Sequence, residues 1–170
     1  MSSKLSFIYA DKYSADLKFS EKKINCRVGL NGIGWKNREG DRVTPKGVYS
    51  LGSLFYREDR IGRIKTSLKK IKIRKNLGWS TDSRDKNYNK LIRTPHRFIH
   101  EPLYREDCVY DLLITLNYNS LNIKKYKGSA IFLHCLGKNI YTEGCIAMEK
   151  KYLLQLLKTI VPSTRVIIRK

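Results

Sequence analysis

Two residues near the end of the chain are of types that together carry out nucleophilic chemistry. The apolar run 130–135 predicts a buried strand, and its period of two places His134 on the same face as Phe132. Eleven residues after His134, Cys145 follows Gly144 in the segment Thr-Glu-Gly-Cys-Ile. Glycine permits a tight bend, and a bend just before a helix would expose backbone N–H groups around the thiol. A thiol, a histidine to hold the thiolate and donors for an oxyanion are the parts of a cysteine nucleophile.

Simpler interpretations fit the same residues. A buried cysteine is usually a small apolar side chain in the core, and a single histidine on a strand is more often a hydrogen-bonded core residue than a base. A metal site made of His134, Cys135 and Cys145 is a third interpretation, although this spacing matches no common zinc pattern. The spacing alone leaves the catalytic pair, the structural pair and the metal site open.

The rest of the sequence predicts mainly strands. Short apolar or alternating runs predict them at 5–9, 48–51, 69–75, 110–118, 130–135 and 166–168. One helix is predicted over 149–160, where apolar residues recur at helical spacing before Pro162. Residues 76–100 are rich in Asn, Asp, Ser and aromatic residues and are predicted to form a long loop. Many strands with one or two peripheral helices indicate a mainly β fold, either a barrel or a sandwich.

The chain has 170 residues, enough for one domain, and an unusual charge. Its 35 Lys and Arg exceed its 15 Asp and Glu for a net charge of +20, which favours an anionic partner without choosing among nucleic acid, anionic lipid and an acidic polymer. The most basic segment, 60–75, has eight Lys or Arg and no aromatic residue, which weakens a nucleic-acid interpretation and fits a solvated strand face. No apolar stretch is long enough to span a membrane, and the N-terminal residues do not resemble a signal peptide.

The segments around the two candidate residues resemble a known family. Gly128–His134 followed by Thr142–Met148 is similar to the signature of the YkuD-type L,D-transpeptidases, in which a histidine ending a strand precedes a Ser/Thr-x-Gly-Cys turn. Arg38–Gly47 resembles the KREGD-x-x-TPxG segment of one YkuD branch. The WxxD, YN, HE and LYD segments of that branch have counterparts at Trp79, Tyr88-Asn89, His100-Glu101 and Val109-Tyr110-Asp111. The resemblance covers about residues 26 to 168.

The resemblance implies a YkuD-like β-barrel or sandwich with one or two peripheral helices, with 1–170 as a single catalytic domain. It also implies a cysteine acyl-enzyme mechanism on peptidoglycan stem peptides, with no metal and no cofactor. Cys145 would be the nucleophile and His134 the general base, oriented by the backbone carbonyl of Cys135. The N–H groups of Gly144 and Cys145 would form the oxyanion hole. Pairing with a protonated His134 would lower the pKa of the thiol.

Four further residues are candidates for substrate binding: Thr142, Glu143, Tyr110 and His100. The sequence also departs from the family pattern at two positions. Many members have a second histidine at the position of Glu143 and an arginine at the position of Ala147. Without that arginine the group that recognises a substrate carboxylate is unassigned, although the surplus of Lys and Arg could supply one from another loop.

Three functions are compatible with the sequence. The first is an L,D-transpeptidase, and the second is a cytoplasmic L,D-carboxypeptidase that trims tetrapeptide stems in peptidoglycan recycling. The absence of a visible signal peptide favours the cytoplasm, whereas the resemblance implies the cell envelope if a signal was removed. The third is a non-catalytic basic module for nucleic acid, supported only by the net charge. Peptidoglycan stem peptides are therefore the expected partner, nucleic acid is not expected, and the oligomeric state is open.

Overall fold

The chain folds into a barrel-like sheet of short strands. The computed structural model describes residues 4–19 and 21–170. In chain order the elements are β1 Lys4–Asp11, β2 Ser14–Phe19, β3 Lys22–Arg27, β4 Ile33–Gly34, β5 Thr44–Pro45, β6 Gly47–Tyr56, α1 Glu58–Ile61, β7 Lys70–Lys72, β8 Leu77–Ser80, β9 Leu91–Arg93, β10 His100–Pro102, β11 Leu112–Leu116, β12 Phe132–Cys135, β13 Ile146–Met148, α2 Lys150–Leu156 and β14 Arg165–Arg169. The mainly β prediction is confirmed.

Nine of the strands form one sheet that closes through the pairing of β11 with β6. Their order is β11-β12-β13-β3-β2-β1-β14-β6-β7, and β11 pairs with β6 as well as with β12. Most neighbours are antiparallel, but β12 and β13 run parallel, with His134 opposite Ala147 and Leu133 opposite Ile146. The parallel pair brings the end of the predicted histidine strand beside the segment that follows the predicted cysteine.

Strand β12 is buried on both faces, as its apolar run predicts. Leu133 and Cys135 face the main core inside the sheet, and that core is lined by apolar residues of the other large strands. Phe132 faces a second apolar cluster that includes Leu113 and Cys145. The period of two therefore separates Cys135 from the face that carries Phe132 and His134.

The prediction of a long loop over 76–100 is wrong. Strands β8, β9 and β10 form a small antiparallel sheet in the order β10-β8-β9. Each strand has only three or four residues, too few for an alternation of apolar and polar residues to be recognised in the sequence. Side-chain contacts with other parts of the fold stabilise the sheet. Trp79 on β8 packs edge-on against Phe132 and Phe55 at centroid distances of 5.2 and 6.1 Å. Buried Asp85 accepts hydrogen bonds from Ser80 Oγ and from the His96 ring, both at 2.6 Å.

The C-terminal helix is shorter than predicted. Helix α2 ends at Leu156, and the chain then tightens into turns in which Thr159 N–H donates to the carbonyl of Leu156 at 2.9 Å. The predicted apolar stripe is nevertheless buried, since Leu153, Leu156, Leu157 and Ile160 all belong to the main core. Within the described ranges, neither helix is long and apolar enough to cross a membrane.

Candidate active site

Cys145 lies at a backbone turn that only glycine fits well. Gly144 has a φ of 135°, and a Cβ at that position would lie 3.0 Å from the carbonyl oxygen of Val43. The turn does not lead straight into the predicted helix: Ile146–Met148 forms β13 before α2 begins at Lys150, and these apolar residues pair with both β12 and β3. The donors around the thiol therefore belong to strands and turns and not to a helix N-terminus.

The thiol of Cys145 is enclosed by the backbone of the segment before β12. Sγ donates to the carbonyl oxygen of Ala130 at 3.1 Å and accepts from the Phe132 N–H at 3.4 Å. The residue is only 9% exposed. Burial raises the pKa of the Cys145 thiol to about 12, against a smaller lowering effect of the Phe132 N–H. The predicted lowering of this pKa is wrong, because desolvation of the thiolate outweighs its one nearby donor.

His134 is held in a defined orientation and is neutral. Its Nδ1 lies 2.8 Å from the backbone carbonyl oxygen of Cys135, which is the contact that the family resemblance implies. A carbonyl can only accept, so Nδ1 carries the proton and Nε2 has a free lone pair. Burial lowers the pKa of His134 to about 4. The ring of Tyr110 packs edge-on against the imidazole at a centroid distance of 5.5 Å.

Cys145 and His134 both line one cavity of about 490 Å³. Three of the four predicted substrate-binding residues, Tyr110, Thr142 and Glu143, line the same cavity. A second cavity of about 140 Å³ lies on another side of Cys145 and also contacts Lys36. Cys145 thus borders two recesses, although the residue itself is largely buried.

His100 lies apart from the predicted site. Its ring stacks edge-on with His96 at 5.9 Å, and its Nδ1 lies 2.8 Å from the carbonyl oxygen of Phe98. The neighbouring Glu101 lines both cavities instead. Since successive residues of a strand alternate in direction, the His-Glu pair on β10 presents the acid to the site and not the imidazole.

Thr142 stabilises the turn that carries Cys145. Its hydroxyl donates to the carbonyl of Cys145 at 2.6 Å and accepts from the Gly144 N–H at 3.1 Å. Thr44 donates to the same carbonyl at 3.3 Å. The N–H of Gly144 is therefore already bonded, which argues against its predicted place in an oxyanion hole. The N–H of Cys145 stays a predicted donor.

The metal interpretation finds no support in the geometry. The side chain of Cys135 lies in the main core, where Sγ donates to the carbonyl of Leu112 at 3.9 Å. It cannot join His134 and Cys145 on the opposite face. Within residues 4–19 and 21–170, no three His, Cys, Asp or Glu side chains are grouped to hold a metal ion.

The basic residues of the site were missed by sequence reasoning. Lys36 has a side chain only 2% exposed, lies 2.5 Å from Asp41 Oδ1 and lowers the pKa of Cys145 through its charge. Arg105 and Arg27 line the larger cavity. Lys36 lies two residues before the KREGD-like segment that begins at Arg38, which is a signal that could have identified it. No local pattern marks the two arginines, because strand pairing and loop packing bring them to the cavity.

Comparison with known proteins places the chain in a family. A family profile for the YkuD L,D-transpeptidase catalytic domain matches residues 6–168. A solved structure of Bd1075 from Bdellovibrio bacteriovorus is 17% identical, with a TM-score of 0.44, over 98% of this chain and 48% of that one, so the chain spans about half of its length. No curated protein matches the sequence significantly. Because the family profile covers nearly the whole sequence, the chain belongs to the YkuD family of L,D-transpeptidase catalytic domains.

Proposed function

We propose that the protein is a cysteine acyltransferase of the L,D-transpeptidase type that acts on peptidoglycan stem peptides. One observation carries the proposal: a thiol and a neutral imidazole with its Nδ1–H bonded to a carbonyl line the same cavity. Membership of the YkuD family supports the substrate class. The pair begins neutral, since burial favours the thiol over the thiolate and imidazole over imidazolium.

In the first step Cys145 attacks the carbonyl that follows the L-centre of the third stem residue. His134 Nε2 accepts the thiol proton as the carbon–sulfur bond forms, and the carbonyl electron pair moves to oxygen, where the Cys145 N–H stabilises it. The tetrahedral intermediate then collapses, the peptide C–N bond breaks, and His134 returns the proton to the departing nitrogen. A thioester remains on Cys145, and the terminal D-residue leaves as an amine.

In the second step a nucleophile releases the acyl group. His134 takes a proton from an incoming amine or water, the new bond forms at the thioester carbon, and the sulfur leaves and is reprotonated. An amine gives a cross-linked product, and water gives a stem shortened by one residue, the outcome of an L,D-carboxypeptidase. Both outcomes use the same acyl-enzyme and the same two residues.

Incubation with a disaccharide tetrapeptide, followed by mass spectrometry, tests this function. The protein should remove the terminal D-residue, with or without formation of a dimer, and Cys145→Ala should abolish both products. Cys108→Ala is the matched control, because Cys108 is an exposed thiol outside the site and its loss should leave turnover intact. Turnover by Cys145→Ala, or none by the unchanged protein, would contradict the proposal.

A further inference from the structure

The acidic residues around the larger cavity already have partners. Glu101 pairs with Arg105 at 3.0 Å, and Asp107 pairs with the same guanidinium at 2.6 Å. Glu143 pairs with Arg42 at 2.8 Å. Each of these three carboxylates is thus ion-paired, although Arg105 serves two of them and the five groups together carry one negative charge.

Arg27 is different, because its charge has no acidic partner. Its Nη1 donates to the backbone carbonyls of Gly137, at 3.1 Å, and Asn139. Carbonyls orient a guanidinium but do not neutralise it. Of the residues that the structure describes, none places a carboxylate within ion-pair distance of Arg27. Both bonds use Nη1, so Nη2 and Nε still have donors to offer.

The position of Arg27 brings this charge close to the nucleophile. Arg27 ends β3 and lies opposite Ala147 on β13. Ala147 comes two residues after Cys145, a distance of roughly 7 Å along an extended chain. All three residues line the cavity, and the small side chain at 147 leaves room for the guanidinium beside it.

We propose that Arg27 binds a carboxylate of the substrate. The inference rests on the proposed function and names the group that anchors the stem peptide in the cavity. A guanidinium with free, neighbouring N–H groups is suited to a bidentate bond with a carboxylate. A stem peptide offers this group at its C-terminus, a few bonds from the carbonyl attacked by Cys145, and on any third residue with an acidic side chain. Lys138, at the exposed rim of the same cavity, adds to the positive field.

Binding, and not turnover, gives the cleanest test. In Cys145→Ala protein, calorimetric titration would compare three tetrapeptides: one with both carboxylates free, one with a C-terminal amide, and one with an amide on the acidic third side chain. Arg27→Gln should raise the Kd of the free acid by roughly ten- to hundredfold and leave the Kd of one of the two amides nearly unchanged. The amide that becomes insensitive identifies which carboxylate Arg27 binds. Arg27→Lys keeps the charge, so it should raise the Kd of the free acid by a smaller factor than Arg27→Gln.

Two controls separate this role from a structural one. Arg165→Gln removes an exposed arginine from β14, outside the cavity, and should not change any of the three dissociation constants. If Arg27→Gln weakens all three peptides by the same factor, Arg27 only holds the loop at Gly137 and Asn139, and the proposal is overturned. Turnover by the protein with Cys145 intact reports on the proposed function separately, so the two failures are distinguishable.

Discussion

The Cys145 thiol and the His134 imidazole are both desolvated, and burial determines which protons they carry. Burial raises the pKa of Cys145 to about 12 and lowers that of His134 to about 4. Near neutral pH the site therefore holds a thiol beside a neutral base, and not a thiolate beside an imidazolium. Proton transfer to Nε2 must accompany the attack, because the ion pair is the less stable form in a desolvated site.

The pH dependence of turnover should reveal the neutral histidine. The base form of His134 is needed, and its pKa is lowered, so kcat/KM should stay level as pH falls through about 6.5 and should decline only toward about 4. Initial rates on a tetrapeptide from about pH 8 to pH 4.5 would measure this, with circular dichroism showing that the fold persists. A decline centred near 6.5 would mean that His134 titrates like an exposed histidine.

The buried Lys36 should support formation of the thiolate. Its side chain lines the smaller cavity beside Cys145, and its positive charge lowers the thiol pKa. Lys36→Met keeps most of the volume and removes the charge, so alkylation of Cys145 by iodoacetamide should slow by roughly three- to tenfold at fixed pH. The rate is best measured in a Cys108→Ala background, because Cys108 is exposed.

Lys65→Met is the matched control for that experiment, since Lys65 is exposed and lines neither cavity. It should leave the alkylation rate unchanged. If Cys145 is alkylated at the same rate in Lys36→Met and Lys65→Met protein, the Lys36–Asp41 pair only stabilises its loop and does not support the thiolate.

Among the elements, β12 joins the barrel to the small sheet that covers it. Phe132 lies between Trp79 of β8 and the ring of Tyr110, with centroids at 5.2 and 6.2 Å. Its N–H also donates to Cys145 Sγ. The packing of β8 against β12 thus helps to fix the backbone that contacts the thiol.

Removal of the Phe132 ring should be costly. Phe132 is 1% exposed, so Phe132→Ala should lower the free energy of unfolding by about 3–5 kcal/mol through lost contacts and the cavity that remains. Leu121 is 87% exposed, so Leu121→Ala should change the free energy of unfolding by less than about 0.5 kcal/mol. Urea denaturation of both variants measures the difference. A loss below about 1 kcal/mol for Phe132→Ala would show that the aromatic cluster does not hold the two sheets together.

Over the whole molecule, the basic segment 60–75 has a structural explanation. It contains β7, which ends the strand order of the large sheet. Charged side chains on a terminal strand discourage pairing with a second chain, and Lys70 and Lys72 serve that purpose here. Lys72 pairs with Glu58 at 2.7 Å and Arg60 with Asp111 at 3.0 Å. The half-exposed Lys72–Glu58 pair agrees with the expected solvated strand face, whereas Arg60 lies on α1 and pairs with the buried Asp111.

The sequence predictions succeed where a structure depends on neighbouring residues, and they fail where it depends on contacts between distant parts of the chain. His134 and Cys145 could be identified because a strand period and a Gly-Cys turn are local patterns. Arg27 could not, because its place beside Ala147 depends on the pairing of β3 with β13, which are far apart in the chain. The direction of the thiol pKa shift was predicted wrongly for the same reason, since burial is a property of the folded molecule.

Acylation by a carbapenem, followed by peptide mapping, tests most directly whether Cys145 is the nucleophile activated by His134. A small alkylating reagent should label the exposed Cys108 first, whereas the acylating compound should modify Cys145, because only that thiol has a base beside its cavity. His134→Ala should slow this acylation by roughly a hundredfold or more. An adduct found mainly on Cys108, or a rate that is unchanged in His134→Ala protein, would contradict the account.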